Sequence, residues 1–226
     1  MLTVEQSEAY ARADFEAPHQ RLIDLFGETF PDFDGQGTVV DLGCGPGDIA
    51  VVDLGCGPGD IALRFARRYP DVRIDAVDGS QPMIDASALI LAKYGGAADR
   101  IRFLCDLLPS FAASPRAPYD VIISNSLLHH LHDSFTLWNS LPKLSRPGTR
   151  VFIKDLMRPT TPVEAQRLKE RYVAGEPEVL QHDFYHSLFA AFTVEEVRAD
   201  LDAAGLQTLT VEAISDRHLL VYGVMV

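Results

Sequence analysis

The residues of this chain best suited to chemistry are glycines and carboxylates in a short unit that occurs twice in direct succession. Residues 39–50 read VVDLGCGPGDIA, and residues 51–62 read VVDLGCGPGDIA again. Each unit is an apolar run, an aspartate and a GxGxG turn. When a helix follows, such a unit is how α/β proteins hold a nucleotide-like ligand: the glycines let the backbone turn tightly and come close to the ligand, and the helix N-terminus faces it. Only the second unit opens into a helical pattern, DIALRFARR at residues 60–68, with an apolar face and two arginines suited to its last turn. A helix after Gly47 would have to accommodate three more glycines and Pro58. Spacing agrees. A ribose-binding carboxylate is expected about 20 residues after the turn, and Asp78 lies 23 positions after Gly55 but 35 after Gly43. The ligand turn is therefore assigned to Gly55, Gly57 and Gly59. The first copy, residues 39–50, is either a duplication tolerated as a surface insertion or a spare strand. A spare strand would compete for the same sheet position or pair with another chain, which makes a homodimer possible.

The elements that must position these residues alternate strand and helix patterns. Residues 73–77 (RIDAV), 101–105 (IRFLC), 119–124 (YDVIIS) and 149–154 (TRVFIK) read as strands, and residues 82–94 and 134–144 as helices, the latter with Ser134 as its cap. Thr193 and Glu196 form a capping box for a helix that ends at Gly205. Residues 206–213 and 218–226 then read as strands joined by a link too short for anything but an antiparallel pair. The expected fold is α/β, Rossmann-like and doubly wound: a mostly parallel sheet with an antiparallel C-terminal hairpin and helices on both faces.

At 226 residues, 47% of them hydrophobic and with a mean hydropathy of +0.03, the chain reads as a single domain over residues 1–226. Residues 1–34 form an N-terminal helical cap in this reading. A formal net charge of −12 argues against nucleic acid as a partner. No apolar run is long enough for a membrane span, and the N-terminus lacks an apolar leader, so the reading is cytoplasmic. Of three cysteines, two are copies of one position, which is neither a disulfide framework nor a metal pattern.

The carboxylates select among nucleotide ligands. Asp60 at the helix start would oppose a pyrophosphate, which disfavours a dinucleotide, and Asp53 adds a second carboxylate just before the turn. Two carboxylates suit a cationic head, and S-adenosylmethionine (SAM) has an ammonium, a sulfonium and no phosphate. Asp78 would then pair with the ribose hydroxyls, and Asp106 could accept from the adenine amino group.

With residues 53–59 (DLGCGPG), 77–80 (VDGS) with Met83, Cys105-Asp106, 124–132 (SNSLLHHLH) and 146–148 (RPG), the chain resembles the class I SAM-dependent methyltransferases, most closely their small-molecule branch that includes quinone C-methyltransferases. The resemblance runs from about Gly35 to Val226. It implies a seven-stranded sheet and a cofactor site made by Asp53, Gly55, Cys56, Gly57, Gly59, Asp78, Gly79, Met83, Asp106, Leu107 and Asn125. It also implies an acceptor near the end of the fourth strand, where His129, His130 and His132 cluster. One of these imidazoles could be a general base, His130 first and His129 second; equally, the rings cap the loop or line the pocket without taking protons. HHLH has poor mutual geometry for a metal, so none is expected. Residues 155–192 read as a substrate lid presenting Arg158, Tyr185 and His186, or as a helical pair that covers the sheet edge. The function expected is methyl transfer from SAM to a small-molecule acceptor. The rival readings are a SAM-binding protein without methyl transfer and a SAM-using enzyme of different chemistry.

Overall fold

The computed structural model describes residues 16–36, 49–94, 97–114 and 118–226. The first copy of the repeat, apart from Ile49 and Ala50, and the first half of the expected N-terminal cap lie outside the described residues, as does the expectation of a spare or exchanged strand.

The chain runs α1 (Glu16–Thr29), β1 (Ile49–Leu54), α2 (Asp60–Arg68), β2 (Val72–Asp78), α3 (Gln81–Tyr94), β3 (Ile101–Cys105), α4 (Leu108–Ala113) and β4 (Tyr119–Asn125). It continues through α5 (Phe135–Trp138), α6 (Leu141–Leu144), β5 (Ser145–Leu156), α7 (Pro162–Tyr172), α8 (Glu178–Ala190), α9 (Val194–Ala203), β6 (Leu209–Ala213) and β7 (His218–Val224). The strands form one seven-stranded sheet in the order β3-β2-β1-β4-β5-β7-β6. The first five run parallel, and β7 is antiparallel to both its neighbours. This is the mostly parallel sheet with an antiparallel terminal hairpin expected from the sequence.

β1 is apolar at nearly every position because it is covered on both faces. Val52, Leu54, Ile122 and Ile153 face a layer that includes Trp138, Leu141, Val197 and Leu201. Val51, Ile74, Ile123 and Phe152 face α1 and α2. There Phe26 of α1 sits inside a ring of aromatic neighbours, with centroid distances of 4.9 Å to Phe65, 5.2 Å to Phe30, 5.3 Å to Phe33 and 5.4 Å to Phe152. Edge and tilted contacts of this kind add to what burial alone supplies. At the far end of the sheet, the Thr193–Glu196 capping box forms with both of its hydrogen bonds, at 3.3 and 2.9 Å.

Three local expectations change. Ile49 and Ala50, the last two residues of the first copy, are the first two of β1, paired with Val72 and Arg73. The single helix expected over residues 134–144 is two short ones, and Ser134 does not cap it. The Ser134 hydroxyl donates to Asp200 at 2.7 Å, while Asp133 accepts from the Phe135 N–H at 2.9 Å. β5 begins at Ser145 rather than Thr149, with a register irregularity between Tyr119 and Val121 of its partner β4.

Phe26→Ala is expected to lower unfolding stability by about 3–5 kcal/mol, whereas Phe189→Ala, at an exposed position on α8, should shift it by no more than about 0.5 kcal/mol. Urea unfolding of the two variants measures both.

Candidate active site

The site begins at the turn after β1. Gly55, Gly57 and Gly59 all have positive φ, at 71°, 53° and 87°, a region that side chains disfavour. The N–H groups of Gly55 and Cys56 donate to the Val77 carbonyl at 2.8 and 3.0 Å, which locks the turn to the tip of β2. Asp78 then joins the two tips: its carboxylate accepts from Gly57 N–H at 2.9 Å and from Ser80 N–H at 2.8 Å. A Cβ on Gly59 would lie 2.3 Å from Phe103 and one on Gly55 2.9 Å from Leu127, but one on Gly57 would point into open space. The middle glycine thus leaves its backbone uncovered at the strand tips among the described residues. Cys56 is buried, and burial pushes its thiol pKa up, so it is an inert neighbour.

Asp53 sits beneath this turn with 1% of its surface exposed. One carboxylate oxygen has no hydrogen-bond partner among the described residues. Burial raises its pKa to about 7, the nearby Asp78 charge adds to the rise, and the Ala62 N–H opposes it. A buried oxygen with an unfilled lone pair is costly unless a donor arrives. Farther along the edge, Asp106 is half-buried, and its N–H donates to the Asp78 carbonyl at 3.1 Å. Leu107 exposes 67% of its surface and leans over Gly79, where a Cβ would come within 2.9 Å. Met83 is buried at the start of α3. The tips of β1 to β3 therefore offer carboxylates in a row and an uncovered apolar surface.

The tip of β4 carries the next group. Asn125 is followed by Ser126 with φ 62°, a conformation rare outside glycine, held by its N–H to the Lys154 carbonyl at 2.9 Å. This turn feeds a 3-10 segment, Leu128–His130. Asp155 of β5 anchors it from within the core: its carboxylate accepts from the Leu128 N–H at 2.7 Å and pairs with His129 Nδ1 at 2.6 Å. A carboxylate partner assigns the proton to Nδ1 and leaves Nε2 as the lone-pair nitrogen. The His130 ring lies 4.1 Å from that of His129. It keeps an accessible edge, yet protein packed around it withholds solvation and lowers its pKa to about 4, with His129 adding to the effect. His132 is exposed.

Several predicted site residues are committed elsewhere. Asp60 does not oppose an incoming anion: it pairs with His19 of α1 and Arg64 of α2, both at 2.7 Å, and these contacts outweigh burial to hold its carboxyl below the usual range. The case against a pyrophosphate thus rests on Asp53. Arg158 bonds the Glu196 carboxylate and the Ala191 carbonyl, so it ties α8 to α9 instead of reaching toward an acceptor. Tyr185 packs against Phe189 and His186, and His186 is exposed beside His182, so this face of α8 is a ring cluster of its own. Residues 155–192 begin inside β5 and then form the pair α7 and α8, packed through Ala165, Leu168 and Leu188 onto Leu156. Ser126, Lys154 and Asp155 were missed by sequence reasoning. A charged Lys-Asp pair ending an apolar strand was the available signal.

Residues 52–151 match the family described as methyltransferase domain, a match that begins within the second copy of the repeat. That stretch is thus similar to a methyltransferase domain, and the seven-stranded fold around it is the one seen in SAM-dependent methyltransferases of known structure. Uncharacterized methyltransferases of Mycobacterium bovis and Mycobacterium tuberculosis are 37% identical over 127 residues, which cover 56% of this chain and 54% of those proteins. A trans-aconitate 2-methyltransferase of an Azoarcus species is 34% identical over 115 residues, 51% of this chain and 37% of that protein. The chain spans about half the length, or less, of the curated relatives it matches. Among solved structures, the fold is similar to that of the plantazolicin methyltransferase BpumL in complex with a pentazolic desmethylPZN analog and SAH, with a TM-score of 0.69 and 13% identity over 97% of this chain and 90% of that one. It is also similar to a SAM-dependent methyltransferase from Aquifex aeolicus, with a TM-score of 0.65 and 16% identity over all of both chains. The methyltransferase domain fits the cofactor in its own geometry: an unfilled buried carboxylate oxygen, an open glycine turn and a bare leucine at adjacent tips.

Asp53 gives a pH signature. Its folded pKa of about 7 lies above the ordinary 3.8, so the native state holds the proton longer than the unfolded chain does. Its contribution to stability is full below about pH 4, falls as pH rises to about 7, and is flat above. Asp53→Asn removes this loss, so the ligand-free variant should gain stability relative to the parent between pH 4 and 8, by denaturant midpoint at each pH.

Proposed function

We propose that this chain transfers the methyl group of SAM to a small-molecule acceptor. The observation that carries the reading is the unpaired buried oxygen of Asp53 beside the open backbone of Gly57. Bound SAM supplies a methyl group on a cationic sulfur, which an acceptor lone pair takes in line as the carbon–sulfur bond breaks toward sulfur. Asp53 receives the ammonium of the cofactor, whose positive charge favours the ionised carboxylate. Asp78 takes the ribose hydroxyls on lone pairs left by the Gly57 and Ser80 N–H groups, and Asp106 takes the adenine amino group between Leu107 and Met83. Asn125, at the tip of β4, faces the reacting end. Alignment and exclusion of water are the protein's main contributions to such a displacement, and α7 with α8 closes the acceptor side.

The small-molecule acceptor has support in the relative from Azoarcus, 37% of which is matched and whose name gives trans-aconitate as the molecule it methylates. Where the acceptor must lose a proton, His129 is the better base of the two candidates. Asp155 fixes its Nδ1–H and would stabilise the cation formed on proton uptake, whereas His130 is too weakly basic near neutral pH.

Calorimetry with S-adenosylhomocysteine, which retains the ammonium, tests the cofactor site. Binding below pH 7 should release a proton from Asp53, seen as heat that varies with the ionisation enthalpy of the buffer. Gly57→Val should weaken binding by about tenfold or more, the cost of a branched side chain at positive φ, and Gly45→Val should leave it within about twofold. Equal losses from both glycines would overturn the choice of copy.

His129→Gln should lower kcat by about 10²- to 10⁴-fold, the usual range for a lost general base. His130→Gln should cost less than about tenfold by the same measure. The reverse order would make His130 the base.

A further inference from the structure

Beside the cofactor edge lies a group of cations that the proposed methyl transfer does not use. Lys154 is the register partner of Asn125 across β4 and β5, and its Nζ donates to the Asn125 Oδ1 at a long 3.3 Å. On β7, His218 is paired with Leu156, two positions beyond Lys154, so the lysine and the histidine stand on the same face of the sheet. Arg217 precedes His218, with its guanidinium 3.3 Å from the centroid of the Tyr172 ring. Its Nη1 is buried and has no hydrogen-bond partner among the described residues.

The nearby carboxylates do not neutralise this group. Asp155 is filled by His129 and by the N–H groups of Leu128 and Leu156, and it lies on the opposite face of β5 from Lys154. Asp216 is held by Arg171 at 3.0 Å and by the Tyr172 hydroxyl at 2.8 Å. Among the described residues no carboxylate is within ion-pair distance of Lys154 or Arg217. The basic groups therefore press on one another. Burial and then Arg217 lower the Lys154 pKa to about 8, with Asp155 opposing. Burial, Lys154 and Arg217 lower that of His218 to about 2, so its ring is neutral, with Nδ1 beside the Ser215 hydroxyl at 3.2 Å. A chain with a net charge of −12 thus holds two half-buried cations at the adjoining ends of β5 and β7, one of them with an unmet donor.

We infer that Lys154 and Arg217 form an anion-receiving subsite for the acceptor, which makes the acceptor a small carboxylate-bearing molecule whose acid group is gripped beside Asn125. The pairing supplies what the geometry lacks: a carboxylate accepts from Lys154 Nζ and from the orphaned Arg217 Nη1, and it relieves the repulsion between them. The Tyr172 ring holds the guanidinium in place from α7, so the helical pair reaches the subsite from above. The inference rests on the proposed methyltransferase reading for the identity of the bound molecule as acceptor, but the cation pair is preformed and can be probed without cofactor.

The test is calorimetric or NMR titration of a panel of small mono-, di- and tricarboxylic acids, each with its neutral methyl ester, into the full chain with and without S-adenosylhomocysteine. At least one acid should bind about tenfold or more tightly than its ester, as expected for a charge-assisted contact. Lys154→Gln and Arg217→Gln should each remove about tenfold or more of that affinity. Arg102→Gln, on the distant edge strand β3 and paired with Asp75, should leave it unchanged. Thermal unfolding of each variant shows that the fold survives, and the two substitutions on different strands keep the test open should one of them fail to fold. Acids that bind no better than their esters, or that bind both variants as well as the parent, overturn the subsite. Failure of S-adenosylhomocysteine to bind while acids still depend on Lys154 and Arg217 overturns the cofactor reading alone.

Discussion

Five neighbouring strands pointing the same way impose the arrangement on which everything else depends. Parallel pairing puts the C-terminal ends of β1, β2, β3, β4 and β5 along one edge, and the side chains there are Asp53, Asp78, Asp106, Asn125 and Lys154 in that region of each strand or just beyond it. Successive residues of this row are 19 to 29 positions apart in the sequence. The sheet makes them neighbours, and its two apolar coats, one around Trp138 and one around Phe26, hold the strands in place. The left-handed glycines then finish the edge by folding the β1 tip back onto Val77 and Asp78.

Charge is distributed unevenly along that edge. The β1 to β3 end carries carboxylates, one of them buried without a full set of donors, and the β5 and β7 end carries cations. Asn125 stands at the boundary, bonded to the first of the cations. Bringing like charges together in a partly desolvated place costs stability in the empty protein, and oppositely charged ligands offset it. On the proposed reading, a cationic ligand at one end and an anionic one at the other would meet at the tip of β4.

Much of the sheet was legible in the sequence because local patterns and topology agree. The apolar runs ending in aspartate, the Thr193–Glu196 box and the four-residue link before His218 each have a local cause, and the antiparallel hairpin follows from link length alone. The glycine turn was legible too, since its neighbours Asp60 to Arg68 read as a helix on their own. What failed to show in the sequence were partnerships between distant residues. Nothing near Asp60 discloses that His19, 41 positions away, will occupy it, and nothing near Arg158 discloses Glu196, 38 positions on. The histidine run was visible, but not that a buried aspartate on the next strand would take one imidazole and leave the other exposed beside it. Lys154 and Arg217 likewise acquire meaning only after β7 is laid beside β5.

The start of β1 gives the duplication an unexpected property. Because the two twelve-residue units are identical, excising either one yields the same shorter chain, in which Gly37 and Thr38 stand immediately before Val51. The first two rungs against Val72 and Arg73, now supplied by Ile49 and Ala50, would pass to a glycine and a threonine. The strand of the shorter chain would then lose the buried Ile49 side chain, while every residue of the glycine turn was kept. The trailing end of the repeat is thus what gives β1 its buried lead-in.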